Sequence, residues 1–518
     1  MEKNILPIGV ANTRQNFDLT AIGPASDTLF SNCFFEVYKD SQSETQSVYC
    51  IKRPGITLSN ASGPSYGTNL GLGCAAIQPY TETNIYYAVR RSSDSVTTVW
   101  HWNGTTTTGV ADILTPTYKR VNFVNIGLPD DTFTCGFTAG KNLYLVKRAG
   151  AVTTATPHGA SADLTRPVYL NNRVFVGDRV TGQIIQSNLG TYQTYSASEY
   201  LTVEAYGGTL VDLARYNNFI VAFKEYSLEF FEDVANQNGT VLARVGQAVQ
   251  QVGCVHPNTI VDTGAGELIW LSTDESGQHA IKLLSNSFQV TSIEDAQVAK
   301  YLNLVHNYDG CYAYFLNANG HQFYVLNLKN SYTDTTDAND LTNVTFVYDM
   351  QSKLWSHWYS NGSPTTFSSG GYSRTTLGRW EVAGAVRSQY NTTYVQEYNF
   401  GGLYQLDDSQ TTDAGTGTIP FRIRISNLDL GTYKRKFFNR IVILCDTLGI
   451  TVPTFTLNMY RYDNLQYTTR TLFARPHTAH ALGSAKTFSL EIESSTDTAI
   501  RISAINIDYD VGEGYAIS

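Results

Sequence analysis

Leu170-Asn-Asn-Arg-Val-Phe-Val176 and Arg215-Tyr-Asn-Asn-Phe-Ile-Val-Ala-Phe223 are two copies of one phrase. Each sets a polar pair, suited to a tight turn, ahead of a strand of aromatic and aliphatic residues. Taken as a marker, the pair recurs near Asn84, Lys141, Asn171, Asn217, Ala265, Asp309 and Gly378, with middle spacings of 46, 48 and 44 residues. A period of this size, with about four strands per unit, is the signature of a β-propeller. One unit cannot bury both of its apolar faces, so neighbours must stack around an axis. The expected fold is all-β, with about six or seven blades.

Working outward, residues 1–75 read as an N-terminal arm plus strands that close the propeller ring, and 76–412 as the propeller itself. A single helix is expected over Ser292–Leu302, with Ser292 as its cap. The polar stretch Asn330–Asn343 reads as a projecting insertion. Residues 409–420 read as a linker. Beyond it Phe421–Ile425, Phe455–Tyr462, Phe488–Glu493 and Ile500–Ile507 largely alternate with period two. Such strands have one buried and one wet face, so 413–518 is expected to be a separate antiparallel β-sandwich-like domain.

Composition agrees with strands and turns: 34 Tyr, 24 Phe, 41 Gly and only 16% charged residues in 518. The net charge of -9 argues against a dedicated nucleic-acid binder, yet is compatible with a surface past which DNA slides. Seven cysteines at 33, 50, 74, 135, 254, 311 and 445 form no C-x-x-C pair, which favours buried free thiols in a reducing compartment. The longest apolar run, Cys311–Leu316, is six residues, too short for a membrane-spanning helix. The N-terminus lacks the apolar core of a signal peptide, so the expectation is a soluble chain made in a cytoplasm, without membrane insertion.

Catalytic patterns fail on context. Gly63-Pro-Ser-Tyr-Gly67 matches the nucleophile-elbow string, but neither the strand before it nor the helix after it is written in its flanks. His477 and His480 read as a loop pair rather than a metal site. Ser272–Gly277 resembles a sialidase aspartate-box turn without its aromatic. Glu229, Glu232 and Asp233 read as a solvated strand end rather than a glycosidase acid pair. No phosphate or dinucleotide loop occurs, so no cofactor, metal or catalytic residue is expected. Two structural positions do stand out: Asp349 at a strand end, placed to accept turn N–H groups, and Trp355, placed to pack between blades. The one dense basic cluster holds Lys434, Arg435, Lys436 and Arg440 among aromatics, a candidate docking surface for an acidic partner.

Four segments carry a resemblance: Asp18–Phe35 with Arg53-Pro-Gly-Ile56, Arg215–Phe231 with its "S-x-E-x-F" turn of phrase, Val347–Trp355, and Ala499–Asp508. In this order and spacing the chain resembles the packaged-DNA stabilisation proteins of short-tailed bacteriophages, which form the tail hub or nozzle. The resemblance implies a non-catalytic virion protein of the tail, assembled in the host cytoplasm as a homohexamer. It would sit below the portal and its adaptor ring, continue the DNA channel without binding the passing duplex specifically, help retain the genome, and dock fibres, spikes or a needle. The remaining readings are a glycan-binding or glycan-degrading tail propeller, which would need clustered carboxylates, and a cellular propeller scaffold.

Overall fold

The computed structural model describes residues 2–6, 29–39, 46–58, 70–77, 84–91, 96–114, 120–126, 133–147, 150–303, 305, 308–328, 344–360, 382–397, 401–446, 451–461 and 466–512, except 162, 237, 238, 389–391, 414–416 and 432. The Asn330–Asn343 insertion, the Gly378 marker and Gly63–Gly67 lie outside the described residues, Asn343 included. Two compact units share the chain: one of residues 1–57, 343–380 and 407–518, the other of 58–342 and 381–406.

The second unit is the propeller. Its first blade is Leu70–Ala76, Ile85–Arg90, Val96–Trp102 and Thr107–Leu114; its second is Val124–Asn125, Phe133–Ala139, Asn142–Lys147 and Val152–Ala155. The third is Val168–Leu170, Arg173–Asp178, Gln183–Gln186 and Tyr200–Thr202; the fourth is Leu210–Tyr216, Phe219–Lys224, Leu228–Asp233 and Leu242–Arg244. The fifth is Val261–Asp262, Leu268–Thr273, His279–Leu284 and Val290–Ser292. Within this unit the hairpin Tyr312–Ala318/His321–Leu328 and the meander Val382–Arg387, Thr393–Glu397, Leu403–Asp407 take the sixth and seventh positions. The first strands follow one another around the ring: Val124–Asn125 touches Val168–Leu170, which touches Leu210–Tyr216. Val261–Asp262 touches Tyr312–Ala318, which touches Val382–Arg387, and that strand returns to Leu70–Ala76. Among the described residues the count is therefore seven positions.

The core lies between blades, as the repeat requires. Leu72, Val99, Phe137 and Val146 join the first and second; Leu145, Val174 and Ile185 join the second and third; Leu170, Phe175, Leu213 and Phe231 join the third and fourth. Phe223, Phe230 and Trp270 continue to the fifth, and Tyr87, Trp102, Val386 and Leu403 close the seventh on the first. The marker pairs are left-handed turns where the sequence copies agree best: φ is 48° at Asn171, 59° at Asn172 and 53° at Asn217. Asparagine tolerates this region because its short side chain can satisfy the local backbone. At the sixth position the marker near Asp309 misses. The hairpin turn is Asn319-Gly320, with φ 51° and 77°, because a helix, Ala296–Leu302, is inserted ahead of the strand. That helix is capped by Asp295, which accepts from Val298 N at 2.8 Å, and not by Ser292, which ends a strand.

The first unit is a β-sandwich. One sheet runs Cys33–Lys39, Gln46–Lys52, Arg501–Val511, Lys436–Asp446, His477–His480, with Glu2–Leu6 also paired to Arg501–Val511. The other runs Val344–Asp349, Trp355–His357, Leu29–Ser31, Phe421–Leu428, Phe488–Ser494, Phe455–Arg461, Gln466–Leu472. Phe35, Ile441, Ile443, Ile505 and Ile507 of one sheet meet Phe421, Ile423, Leu457, Leu490 and Ile492 of the other. The N-terminal strands, expected to close the propeller, thus build this unit. Their apolar residues, Cys33, Phe35 and Cys50, point into its core and leave no face for a ring. The expected linker also differs: Thr412–Asp413 and Gly417–Thr418 form a small hairpin, and Asp413 pairs in register with Ile56.

Candidate functional site

The sequence motifs resolve first into structural clamps. In Arg53-Pro-Gly-Ile56 the Arg53 side chain is fully buried and donates to Asp413 Oδ1 and Oδ2 at 2.9 and 2.6 Å, Asn32 Oδ1 at 2.9 Å and Tyr359 O at 2.9 Å. One guanidinium therefore joins the three separate stretches of chain that make the sandwich unit. Gly55 follows because a Cβ there would lie 2.1 Å from Thr412 O. Beside it Lys52 Nζ donates to Thr496 O and Thr498 O, and burial, followed by the Arg53 charge, lowers its pKa to about 8.

The "S-x-E-x-F" phrase is a second clamp. Glu229 is fully buried, not a solvated strand end, because its charge is paired: Arg244 Nε lies 2.9 Å from Oε2 and Lys224 Nζ 3.5 Å from Oε1. Glu229 also accepts from Ala205 N at 3.1 Å, and Lys224 donates to the Val203 and Tyr206 carbonyls, which fastens the 203–206 loop to the fourth blade. Glu229, Glu232 and Asp233 do not converge on one opening as a glycosidase pair would.

Polar side chains bridge the innermost strands of several blades. Arg166 donates to Asp212 Oδ2 at 2.7 Å, Ile260 O at 3.0 Å and Pro257 O at 2.5 Å, so it spans the third to fifth blades. Asp212 is fully buried. Asn122, at the entrance to the second blade, reaches Asn258, at the entrance to the fifth, at 3.5 Å. Arg120 stacks on the Tyr312 ring at 4.8 Å, and burial lowers its pKa. Sequence reasoning missed these bridges, since their members come from different repeats and share no local motif.

The candidate docking cluster is divided by the fold. Lys434 and Arg435 are exposed, with Tyr433 70% and Phe437 47% exposed beside them. Lys436 is not a surface residue: it is fully buried, donates to Lys434 O and Lys486 O at 3.2 and 2.5 Å, and has its pKa lowered by burial. Strand alternation turns it inward between two outward neighbours. Arg440 is half exposed and forms a forked bond with Asp508 Oδ2, at 2.9 and 2.6 Å.

Asp349 accepts from Gln351 N at 3.0 Å and Ser352 Oγ at 2.8 Å, the turn role expected of it. Trp355 packs on Tyr348, ring centres 5.0 Å apart. Both residues belong to the sandwich unit, not to the propeller unit, because their stretch pairs with Leu29–Ser31. His477 and His480 lie on one strand, not a loop; His477 is buried against Phe455 and His480 is exposed, so they do not share a face. Asp274 organises its turn by accepting from Ser276 N, Ser276 Oγ and Gln278 N, and these bonds, the Ser276 hydroxyl first, lower its pKa. Among the described residues no group of His, Cys, Asp and Glu could hold a metal, and no helix is long and apolar enough to cross a membrane. An open cleft of about 550 Å³ lies between the outer strands of the third and fourth blades, lined by Tyr200, Thr202, Glu204, Thr240 and Arg244.

Residues 125–343 match the phage stabilisation family model described as Bacteriophage P22 Gp10, beta-propeller. The match runs from the second blade to beyond the sixth hairpin, which ends at Leu328, and bears out the family resemblance; it supports a bacteriophage structural protein. No curated protein matches. Among solved structures the chain is similar to the extracellular domain of BT4673 from B. thetaiotaomicron, at 10% identity and a TM-score of 0.39, covering 74% of this chain and 42% of that one. PorZ, a type-IX secretion component of Porphyromonas gingivalis, gives 12%, 0.37, 78% and 46%. The computationally designed Ika8 protein gives 12%, 0.33, 68% and 99%. The chain thus spans under half the length of the first two structures.

Proposed function

We propose that the chain is a non-catalytic tail protein of a bacteriophage virion, a subunit of the hub or nozzle ring that extends the portal channel. In this role it retains packaged DNA, lets the duplex pass without specific binding, and docks fibres, spikes or a needle. The observation that carries the reading is the family match over residues 125–343. Three features support it. The conspicuous motifs around Arg53 and Glu229 are consumed in holding the fold, as suits a rigid building block. Arg166–Asp212 and Asn122–Asn258 bonds bridge the innermost parts of different blades, which favours a DNA channel formed between copies. The net charge of -9 suits a wall past which phosphates slide.

The test is mass photometry of the full chain with the portal–adaptor complex of its phage. The expected result is a mass increment of about six chains on the complex. A chain that never adds to the complex, at any concentration, overturns the reading.

A further inference from the structure

We propose that two surfaces of this chain, one on each unit, are the two halves of a contact between neighbouring copies. The proposal rests on the ring reading above and names the residues that would build the ring. The first surface is what the fold leaves exposed of the basic cluster: Tyr433, Lys434, Arg435 and Phe437, with exposed Lys486 beside them through its carbonyl bond to Lys436. In an acidic chain a basic aromatic patch is exceptional. Exposed aromatics beside arginine are the composition of interface anchors.

The second surface has the opposite charge and the same aromatic character. Glu204 and Tyr206 stand on the loop before the fourth blade, and Glu225 and Tyr226 on the hairpin turn within it. The two are adjacent: Thr209 N donates to Glu225 Oε2 at 3.1 Å, and Gly208 abuts the Tyr226 ring. Tyr200, Tyr206 and Tyr226 are 45%, 43% and 41% exposed, a high exposure for three neighbouring large rings. Tyr200 and Glu204 also border the open cleft between the third and fourth blades, which offers a recess for a ring from the other surface. The buried Lys224–Glu229 pair beneath, with exposed Arg244 bonded to Glu229 at the cleft edge, fixes the loop, so the surface is held in place before contact. The patches differ from each other, so their pairing is heterologous, the kind of contact that generates a closed ring.

The experiment is a charge swap in the full chain, read by mass photometry alone and on the portal–adaptor complex. K434E/R435E and E204K/E225K, each alone, should weaken copy-to-copy association by at least about tenfold, since each sets like charges face to face. An equimolar mixture should recover assembly, because the reversed basic patch of one variant meets the reversed acidic patch of the other while the remaining contacts are wild type. Unchanged thermal melting controls for folding; if the double reversal disturbs the loop, the single reversal E204K replaces E204K/E225K in both the single-variant and the mixture measurements. Wild-type-like assembly of every variant overturns this pairing and leaves the ring reading standing. Two defective variants whose mixture stays defective also overturn it. A wild-type chain that neither self-associates nor adds to the complex overturns both.

Discussion

Arg53 joins the three stretches of chain that make the sandwich unit. It is fully buried, its charge is matched by Asp413, and its remaining donors are met by Asn32 and Tyr359. Replacing it by Ala takes the forked guanidinium away from the buried Asp413 carboxylate, so R53A should cost about 3–5 kcal/mol, measured by urea denaturation of the full chain. Lys should recover little, since it lacks the planar fork that serves three acceptors at once. A loss under about 1 kcal/mol would show that water replaces the guanidinium. Lys52 gives the pH signature of the same corner. Its folded pKa, about 8, lies below the unfolded value of about 10.4. Between these values the unfolded state binds more protons, so this residue's contribution to stability rises with pH through that window. Against K52M, wild type should gain on the order of 2–3 kcal/mol from pH 8 to 10.4, and a flat difference would mean the Thr496 and Thr498 carbonyls fully offset the burial.

Blade turns carry the next prediction, because at Asn217 the backbone conformation itself is at stake. With φ at 53°, N217A should cost about 1 kcal/mol and N217G nearly nothing, read from the midpoint of the propeller's unfolding transition. Equal losses in both would assign the residue's role to its side chain instead. This turn also marks what the sequence made legible. Asn-Asn pairs, aromatic alternation and a regular spacing are local, so they exposed the repeat, and period-two alternation after Phe421 exposed the sandwich. What stayed hidden depends on partners far along the chain. Nothing near Cys33 or Cys50 states that their strands complete a sheet with Arg501–Val511. Lys436 reads as one more surface cation until the strand's alternation turns it inward onto the Lys486 carbonyl. Asp309 held the expected spacing by coincidence, and the Ala296–Leu302 insertion displaced the true turn to Asn319.

For the whole molecule, the polar bridges between innermost strands distinguish two DNA paths, one along the propeller axis and one between copies. Arg166 ties the third, fourth and fifth blades, and its loss strands buried Asp212, though Arg179 at 3.7 Å keeps part of the compensation. R166A should therefore lower the propeller's melting temperature through a cost of about 2–4 kcal/mol. If the duplex runs between copies, particles that still assemble with R166A should keep their genome as wild type does, measured by nuclease protection of packaged DNA. Loss of the genome from such particles, at unchanged subunit number, would place the DNA path through the propeller axis and contradict the proposed channel. The two readouts are independent: melting reports the Arg166 bridge as a fold element, and retention reports whether that bridge ever faces DNA. In the proposed ring, an acidic wall between subunits would suit a conduit, since each further phosphate contact would raise the cost of sliding. It also predicts that added lysines slow ejection only where they face the space between copies, while the same substitution elsewhere on the chain leaves the rate unchanged.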